Sequence, residues 1–344
     1  MCRETMRPAE RFAAYIAGRP VDRAPVIEWA PWWGLTVDRW RGEGLPDSAE
    51  SVGEIQAYFG LDRCLQTSFS AFTDQTPGPA GFGTGIMKTE DDYLYKIRPT
   101  LFPSPESLFP EERLRGLETD IAKGDAIRFF TASGFFWYPR ELFGIEAHLF
   151  SFYDQPELYA RICEDYCAWL EKVFRRVFSR CRFDFMTFAE DMSYNNGPML
   201  SKAMFDEFLA PYYKKLIAVI HEYSIPVIID SDGDITLAVD WYAGVGADGM
   251  LPLERQAGVD VSVYVEKQPG MTYIGHFDKM CMKHGEQAMR AEFERIFPSM
   301  CAGKVIPSVD HQTPPDVSME NYKIYVRLLK EYAAKVGEYR RNGR

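Results

Sequence analysis

Short apolar runs alternate with longer amphipathic segments along most of the chain. Runs of this length, rich in β-branched and aromatic residues and bounded by turn residues, are typical of strands. There are eight of them, at 25–30 (PVIEWA), 64–70 (CLQTSFS), 126–133 (AIRFFTAS), 183–190 (FDFMTFAE), 226–232 (PVIIDSD), 249–254 (GMLPLE), 271–277 (MTYIGHF) and 304–310 (KVIPSVD).

The segments between these runs have the three-and-four spacing of helices with one buried face. One such pattern covers 205–223, and another follows Ser318, which is a favourable N-cap residue. The clearest pattern is a third one, which consists of Tyr159, Ile162, Cys163, Tyr166, Trp169, Leu170, Val173, Phe174, Val177 and Phe178.

Strands that alternate with helices and are apolar throughout indicate a parallel sheet covered on both faces. Eight of them predict an α/β fold of the closed (β/α)8 TIM barrel type, as a single domain over 1–344. The segment 71–103 is rich in Gly, Pro and aromatic residues, and we expect a β-hairpin insertion there. A doubly wound open sheet is the alternative, but the GxGxxG and GxxxxGK[ST] phosphate loops typical of that class are missing.

Composition narrows the class of partner. The formal net charge is -11, whereas nucleic acids and anionic membranes are bound through basic surfaces. No apolar stretch approaches the roughly 18 residues of a membrane helix, so we expect a cytoplasmic protein. The seven cysteines include no CxxC pair and give no disulfide framework, so we expect reduced thiols.

Candidate chemistry lies at the carboxyl ends of the predicted strands, because the loops there converge on one mouth of a barrel. Asp230 and Asp232 are two apart and point the same way on an extended strand. Two carboxylates held close together need a bound cation or a proton. The residues allow a metal, such as zinc, on Asp230, Asp232 and His311 or His276, or the same groups as general acid and base. Taken singly, each carboxylate could instead cap a helix or pair with an arginine.

Three stretches carry a resemblance to a known family. They are FAEDMSYNNGPMLSKAMFDEFLAPYYKKLIAVIHEYSIPVIIDSDGDI, SGFFWYPRELFGIEAHLFSFYDQPELYARICE and PSVDHQTPPDVSMENYKIYVRLLKEY. From about Asp125 to Tyr332 the chain resembles the uroporphyrinogen decarboxylase superfamily, with its acidic pair, Gly-Pro turn, Pro-Tyr helix and SDG triplet. The resemblance implies a (β/α)8 barrel, as a monomer or a homodimer.

The resemblance is greater to one branch of the superfamily than to the other. Porphyrin-pathway decarboxylases have an Arg-Gln-Ala-Gly-Arg motif that holds substrate carboxylates, whereas this chain has no arginine between Arg23 and Arg39. The other branch transfers methyl groups to or from a corrinoid on a partner protein. Many of its members use zinc on a His-x-Cys pair, where this chain has Asp230 and Asp232. Harder ligands suit a Lewis acid acting on an ether or amine, so the resemblance implies demethylation of a small O- or N-methylated substrate.

The expected site follows from this branch. Metal ligands would be Asp230, Asp232 and His311, and catalysis would use Asp232, His311 and a protonated Glu190 as general acid. The residues expected to bind substrate are Trp29, Trp33, Phe69, Phe135, Tyr194, Asn195 and His276. The aromatic members among these would line a flat pocket for an aromatic or quaternary-ammonium compound, or else pack in the core. Porphyrinogen decarboxylation and a tetrapyrrole-binding barrel without catalysis are the alternatives.

Overall fold

Seven parallel strands form one curled sheet in the computed structural model, which describes residues 6–342. The sheet order is β1, β2, β3, β6, β7, β8 and β9, and a separate two-stranded hairpin consists of β4 and β5. This confirms the predicted barrel-like α/β fold. The strands are β1 (Cys64–Ser68), β2 (Ile127–Ser133), β3 (Phe185–Ala189), β4 (Ser193–Tyr194), β5 (Gly197–Pro198), β6 (Val227–Ser231), β7 (Gly249–Pro252), β8 (Thr272–Phe277) and β9 (Lys304–Val309).

Helices cover the outside of this sheet. The bounds of the α-helices are α1 (Pro8–Ile16), α2 (Gly34–Gly42), α3 (Val52–Phe59), α4 (Glu90–Asp92), α5 (Pro105–Leu108), α6 (Glu111–Lys123), α7 (Trp137–Phe143), α8 (Ile145–Asp154), α9 (Pro156–Phe178), α10 (Lys202–Met204), α11 (Ala210–His221), α12 (Ala238–Gly244), α13 (Val261–Lys267), α14 (Glu286–Ala302) and α15 (Met319–Arg341). All ten residues of the apolar face predicted for α9 are buried. Ser318 caps α15 by accepting a hydrogen bond from the amide of Asn321.

Two expectations from composition can be compared with the structure. Over residues 6–342, no helix combines the length and the apolar character needed to cross a membrane. The six cysteines in that range are free thiols, as expected, and Cys2 lies outside the described residues.

The prediction of a first strand over 25–30 is wrong. The segment is extended, and it joins β9 to β1 through side-chain hydrogen bonds. Val26 and Asp62 exchange two hydrogen bonds, from the Asp62 amide to the Val26 carbonyl (2.8 Å) and from the Val26 amide to the Asp62 carboxylate (3.0 Å). The Gln56 side chain donates to the carbonyls of Glu28 and Cys64 and accepts from the Cys64 amide. Side chains thus replace the backbone ladder, which is why residues 25–30 are extended but not paired as a strand.

Glu28 joins the same segment to the other end of the sheet. Its Oε1 accepts hydrogen bonds from the Ser308 hydroxyl (3.1 Å), the Val309 amide (3.2 Å) and the Tyr325 hydroxyl (2.8 Å). Glu28 is only 2% exposed, and its burial raises its pKa to about 7 against the opposing effect of these bonds. One carboxyl group therefore ties the N-terminal segment to β9 and to α15.

The predicted hairpin over 71–103 is not confirmed. An antiparallel bridge between Phe72 and Leu101 closes the base of the insertion. The part of the insertion near residue 90 is helical, with α4 followed by a π-helical turn over Tyr93–Ile97. Thr89 and Asp92 form a reciprocal capping box there, so the acidic run after Thr89 begins a helix.

Glu28→Gln tests the buried carboxyl group at this seam. Because folding raises the pKa of Glu28, its contribution to stability is complete below its unfolded pKa of about 4.3 and is lost as the pH rises through about 7. We expect the wild-type protein to lose up to about 3 kcal/mol of unfolding free energy relative to the variant over that interval. Urea unfolding of both proteins at several pH values measures the difference.

Glu54→Gln is a control with the opposite sign. Hydrogen bonds from Ser51 lower the pKa of Glu54, so its contribution is present above its usual pKa and is lost as the pH falls. A stability difference between wild type and Glu28→Gln that does not change with pH would contradict the assignment.

Candidate functional site

Three carboxylates meet at the carboxyl ends of two neighbouring strands. Asp191 follows β3, Asp230 is in β6 and Asp232 follows β6 directly. Each contributes a carboxylate oxygen, and these oxygens all lie within 4.8 Å of one another. The register pairs Ala189 with Asp230, and the Asp191 amide lies 3.3 Å from the Asp230 carbonyl that it donates to. We call Asp191, Asp230 and Asp232 the acidic triad.

Nothing in the described part of the chain neutralises this charge by direct contact with Lys or Arg. The one ion-pair neighbour is His311, whose Nε2 lies 3.8 Å from Asp232 Oδ2. Burial and the neighbouring carboxylates raise the pKa of Asp230 well above its usual value and that of Asp232 to about 8. Burial also raises the pKa of Asp191. The triad therefore needs a proton or a cation.

Asp191 reaches the triad because the chain turns sharply after β3. Its φ of 40° lies in the left-handed region, and its Oδ1 accepts a hydrogen bond from the Asp232 amide (3.4 Å). The following hairpin crosses over Gly233, which has a φ of 78° and where a Cβ atom would lie 2.6 Å from the backbone of Tyr194. Only glycine fits that position, so the SDG sequence is required by the close approach of the two loops.

His311 and Trp29 stand beside the triad. The His311 and Asp232 side chains are 35% and 33% exposed, so both are accessible from solvent. The Trp29 ring meets the imidazole edge-on at a centroid distance of 6.4 Å, and its Nε1 donates to the Val309 carbonyl. The structure thus brings together Asp230, Asp232 and His311, as the sequence predicted, and adds Asp191.

Glu190 is built into the start of α7. It is fully buried, and its Oε2 accepts hydrogen bonds from the amides of Phe136 (2.9 Å) and Trp137 (3.3 Å) at the start of α7. The Tyr242 hydroxyl donates to its Oε1 at 3.3 Å. Burial raises its pKa to about 8. Glu190 therefore positions α7, and its role as a general acid stays a prediction.

Three residues expected to bind substrate are packed within the protein. His276 is fully buried, with its Nδ1 at 3.0 Å from the Leu253 carbonyl and its Nε2 accepting from the Val261 amide. Phe135 is buried against Tyr213 and Phe188, and Phe69 is half-buried and stacks on Phe130. The structure shows packing and hydrogen-bonding roles for these three side chains, and contact with a substrate stays a prediction.

The remaining residues expected to bind substrate are exposed. Trp33 is 47% exposed at the start of α2, and Tyr194 is 50% exposed on the hairpin. Asn195 occupies the hairpin turn between β4 and β5, so it has a structural role there.

Patterns in the sequence did not identify Lys279, a basic residue that acts on the triad. Lys279 Nζ lies 3.4 Å from Asp310 Oδ1 and 3.7 Å from Glu254 Oε1. Its charge partly offsets the rise in the pKa of Asp232 that burial causes, although it makes no ion pair with that residue. It is the first residue of a short 3-10 helix capped by Asp278, so no periodic pattern in the sequence identifies it.

The acidic triad fits a divalent cation. Its partly buried carboxylates converge without a Lys or Arg partner among the described residues, and carboxylate oxygens suit Mg²⁺ or Mn²⁺. The imidazole of His311 adds a nitrogen donor next to Asp232, which suits zinc. The residues that would hold the ion are Asp191, Asp230 and Asp232, of which Asp191 was not in the predicted set.

A comparison with a solved methyltransferase structure shows a similar fold. A methyltransferase from Methanosarcina mazei has a TM-score of 0.66 and 12% identity, and the match covers 95% of this chain and 99% of that one. A putative vitamin-B12 independent methionine synthase from Listeria monocytogenes has a TM-score of 0.49 and 12% identity, with 92% and 98% of the two chains covered. No curated protein matches the sequence.

The family comparison agrees with the resemblance carried by the central and C-terminal motifs. The family model described as uroporphyrinogen decarboxylase (URO-D) matches residues 146–332, which is more than half of the chain. The match includes the acidic triad, the hairpin after β3, His311 and most of α15. The chain therefore belongs to the uroporphyrinogen decarboxylase family.

Proposed function

We propose that the protein is an enzyme that transfers a methyl group from a small O- or N-methylated compound to the corrinoid of a partner protein, assisted by a divalent metal. The acidic triad is the observation that carries the proposal, because three converging carboxylates with no Lys or Arg partner in residues 6–342 provide a site for a Lewis-acid cation. The structural similarity to a methyltransferase agrees with this reaction class.

Methyl transfer from an ether or amine needs assistance at the atom that leaves. A cation on the triad would supply positive charge to that oxygen or nitrogen. His311 is the nearest proton carrier, since its Nε2 lies 3.8 Å from Asp232 and a third of its side chain is exposed. We assign it delivery of a proton to the leaving atom. Trp29, edge-on to His311, limits the orientations of the imidazole ring.

Decarboxylation of a porphyrinogen is the alternative that the family name suggests. A substrate with many carboxylates needs arginines to bind them. The segment that leads from 25–30 into α2 carries no arginine before Arg39, and its acidic residue, Glu28, is buried in the seam between β9 and α15. The acidic triad would also repel such a substrate unless it held a cation.

Metal binding is the first prediction from the proposed function. We expect the protein, stripped with chelator, to take up about one equivalent of zinc or Mn²⁺ per chain, measured by calorimetry and elemental analysis. Asp230→Asn should weaken that affinity by about 100-fold or more, because outer-shell partners alone contribute about 10- to 100-fold.

Asp316→Asn provides the matched control. Asp316 is 50% exposed and pairs with Lys283, so its replacement removes a surface carboxylate and should not change metal affinity. The proposal of a metal site is wrong if the stripped protein takes up no cation, or if Asp230→Asn and Asp316→Asn bind it equally well.

Methyl transfer is the second prediction. We expect the metal-loaded protein to methylate cob(I)alamin from at least one donor in a panel of methoxylated arenes, methanol and methylamines, as followed by the absorbance of the corrinoid. A lost Lewis acid costs several kcal/mol of transition-state stabilisation, so Asp230→Asn should slow the transfer by about 100-fold or more.

The same preparation incubated with uroporphyrinogen tests the alternative. We expect no release of CO2, and Asp316→Asn should transfer methyl groups at the wild-type rate. Release of CO2 from uroporphyrinogen, or failure to transfer from every donor in the panel, would overturn the proposed function.

A further inference from the structure

A cleft of about 590 Å³ opens between the insertion and the start of α7 and α8. The segments that line it follow β1 and β2, which are the next strands in the sheet after β3. Its walls are mainly apolar, and the residues used in the argument below are Phe72, Ile86, Trp137, Arg140 and Glu141. A volume of this size is typical of small-molecule sites.

Arg140 is the cationic side chain of the cleft. Its guanidinium lies over the Trp137 ring, 4.6 Å from the centroid, and it forms no ion pair with any carboxylate within residues 6–342. Its positive charge opposes the rise in the pKa of Asp191 that burial causes, and the two side chains form no ion pair. A guanidinium held on an aromatic ring and lacking an anionic partner is arranged to bind an anion.

We propose that this cleft binds a small aromatic carboxylic acid, with its ring against Trp137 and Phe72 and its carboxylate on Arg140. The flat apolar walls match an aromatic ring, and the planar fork of a guanidinium matches the two oxygens of a carboxylate. The inference that this acid is the methyl donor rests on the proposed function. Binding of the acid in the cleft does not depend on that function.

Arg140 sets the charge that the cleft can bind. Glu141 lines the same cleft, and the loss of surrounding water raises the pKa of its carboxyl group to about 7. A phosphate monoester would bring about two charges to a single arginine, and Arg140 is the only arginine or lysine among the lining residues.

Binding of 4-methoxybenzoate to the full-length protein tests the proposal. In calorimetric titrations at neutral pH, we expect wild type to bind 4-methoxybenzoate more tightly than the uncharged 4-methoxybenzyl alcohol. Arg140→Gln should weaken binding of the acid by about tenfold or more, as expected for loss of a charge-assisted hydrogen bond. Arg140→Lys, which keeps the charge but not the fork, should fall between the two.

Arg113→Gln is the matched control, because Arg113 also stacks on an aromatic ring, 4.2 Å from the centroid of Phe109, but outside the cleft. It should not change the affinity for the acid, and the unfolding transition of each variant shows whether it is folded. The proposal is overturned if the acid does not bind, or if folded Arg140→Gln binds it as tightly as wild type.

Failure of the cleft and failure of the proposed function can be told apart, because the titration contains no methyl acceptor. An acid that binds through Arg140, with no methyl transfer to cob(I)alamin from this acid or from any donor in the panel, confirms the cleft and contradicts the proposed function. Methyl transfer from other donors, with no binding of the acid, confirms the proposed function and contradicts the proposal for the cleft.

Discussion

Mutual repulsion among Asp191, Asp230 and Asp232 is the constraint that the rest of the site must meet. The parallel register of β3 and β6 holds their backbones together, so the carboxylates cannot separate without breaking the sheet. The nearest cations do not relieve the repulsion by contact, since Lys279 pairs with Asp310 and Glu254. The fold therefore keeps a concentration of negative charge that only a proton or an external cation can balance.

Glu190 connects this charge to the neighbouring cleft. It immediately precedes Asp191, and its carboxyl group accepts the first amides of α7, the helix that carries Trp137 and Arg140. The contact is so close that a Cβ atom at residue 134 would lie 1.8 Å from Glu190 Oε2, so only Gly134 is compatible with it. The position of the arginine relative to the triad is thus set by a buried contact at the end of β3.

Periodic patterns in the sequence predicted the parts of the molecule that obey them. Seven of the eight apolar runs are strands, and the buried face of α9 follows the helical period. Asp230 and Asp232 were identified because two-residue spacing on a strand puts both on one side. The segment 25–30 has the composition of a strand, but the side chains of Gln56 and Asp62 take the place of its backbone pairing, and composition does not reveal that.

The site residues that the sequence missed or misplaced lie where strand alternation stops. Glu190 and Asp191 are adjacent, and alternation alone cannot tell which one faces the mouth. The left-handed φ of Asp191 decides it, by turning this carboxylate toward β6 after Glu190 has turned to α7. His276 similarly looked available at a strand end, yet its φ of 71° accompanies a ring whose two nitrogens are both engaged within the protein.

The triad and the cleft both lie where neighbouring strands of the sheet end. The triad presents negative charge at the ends of β3 and β6, whereas Arg140 presents positive charge on the helix that follows β2. Arg140 opposes the rise in the pKa of Asp191 that burial causes, and the two side chains do not pair with each other. Under the proposed function, a molecule with an anionic end and an ether or amine group would satisfy both groups when a cation occupies the triad. The buried contact between Glu190 and α7 would then help to set the length of molecule that fits.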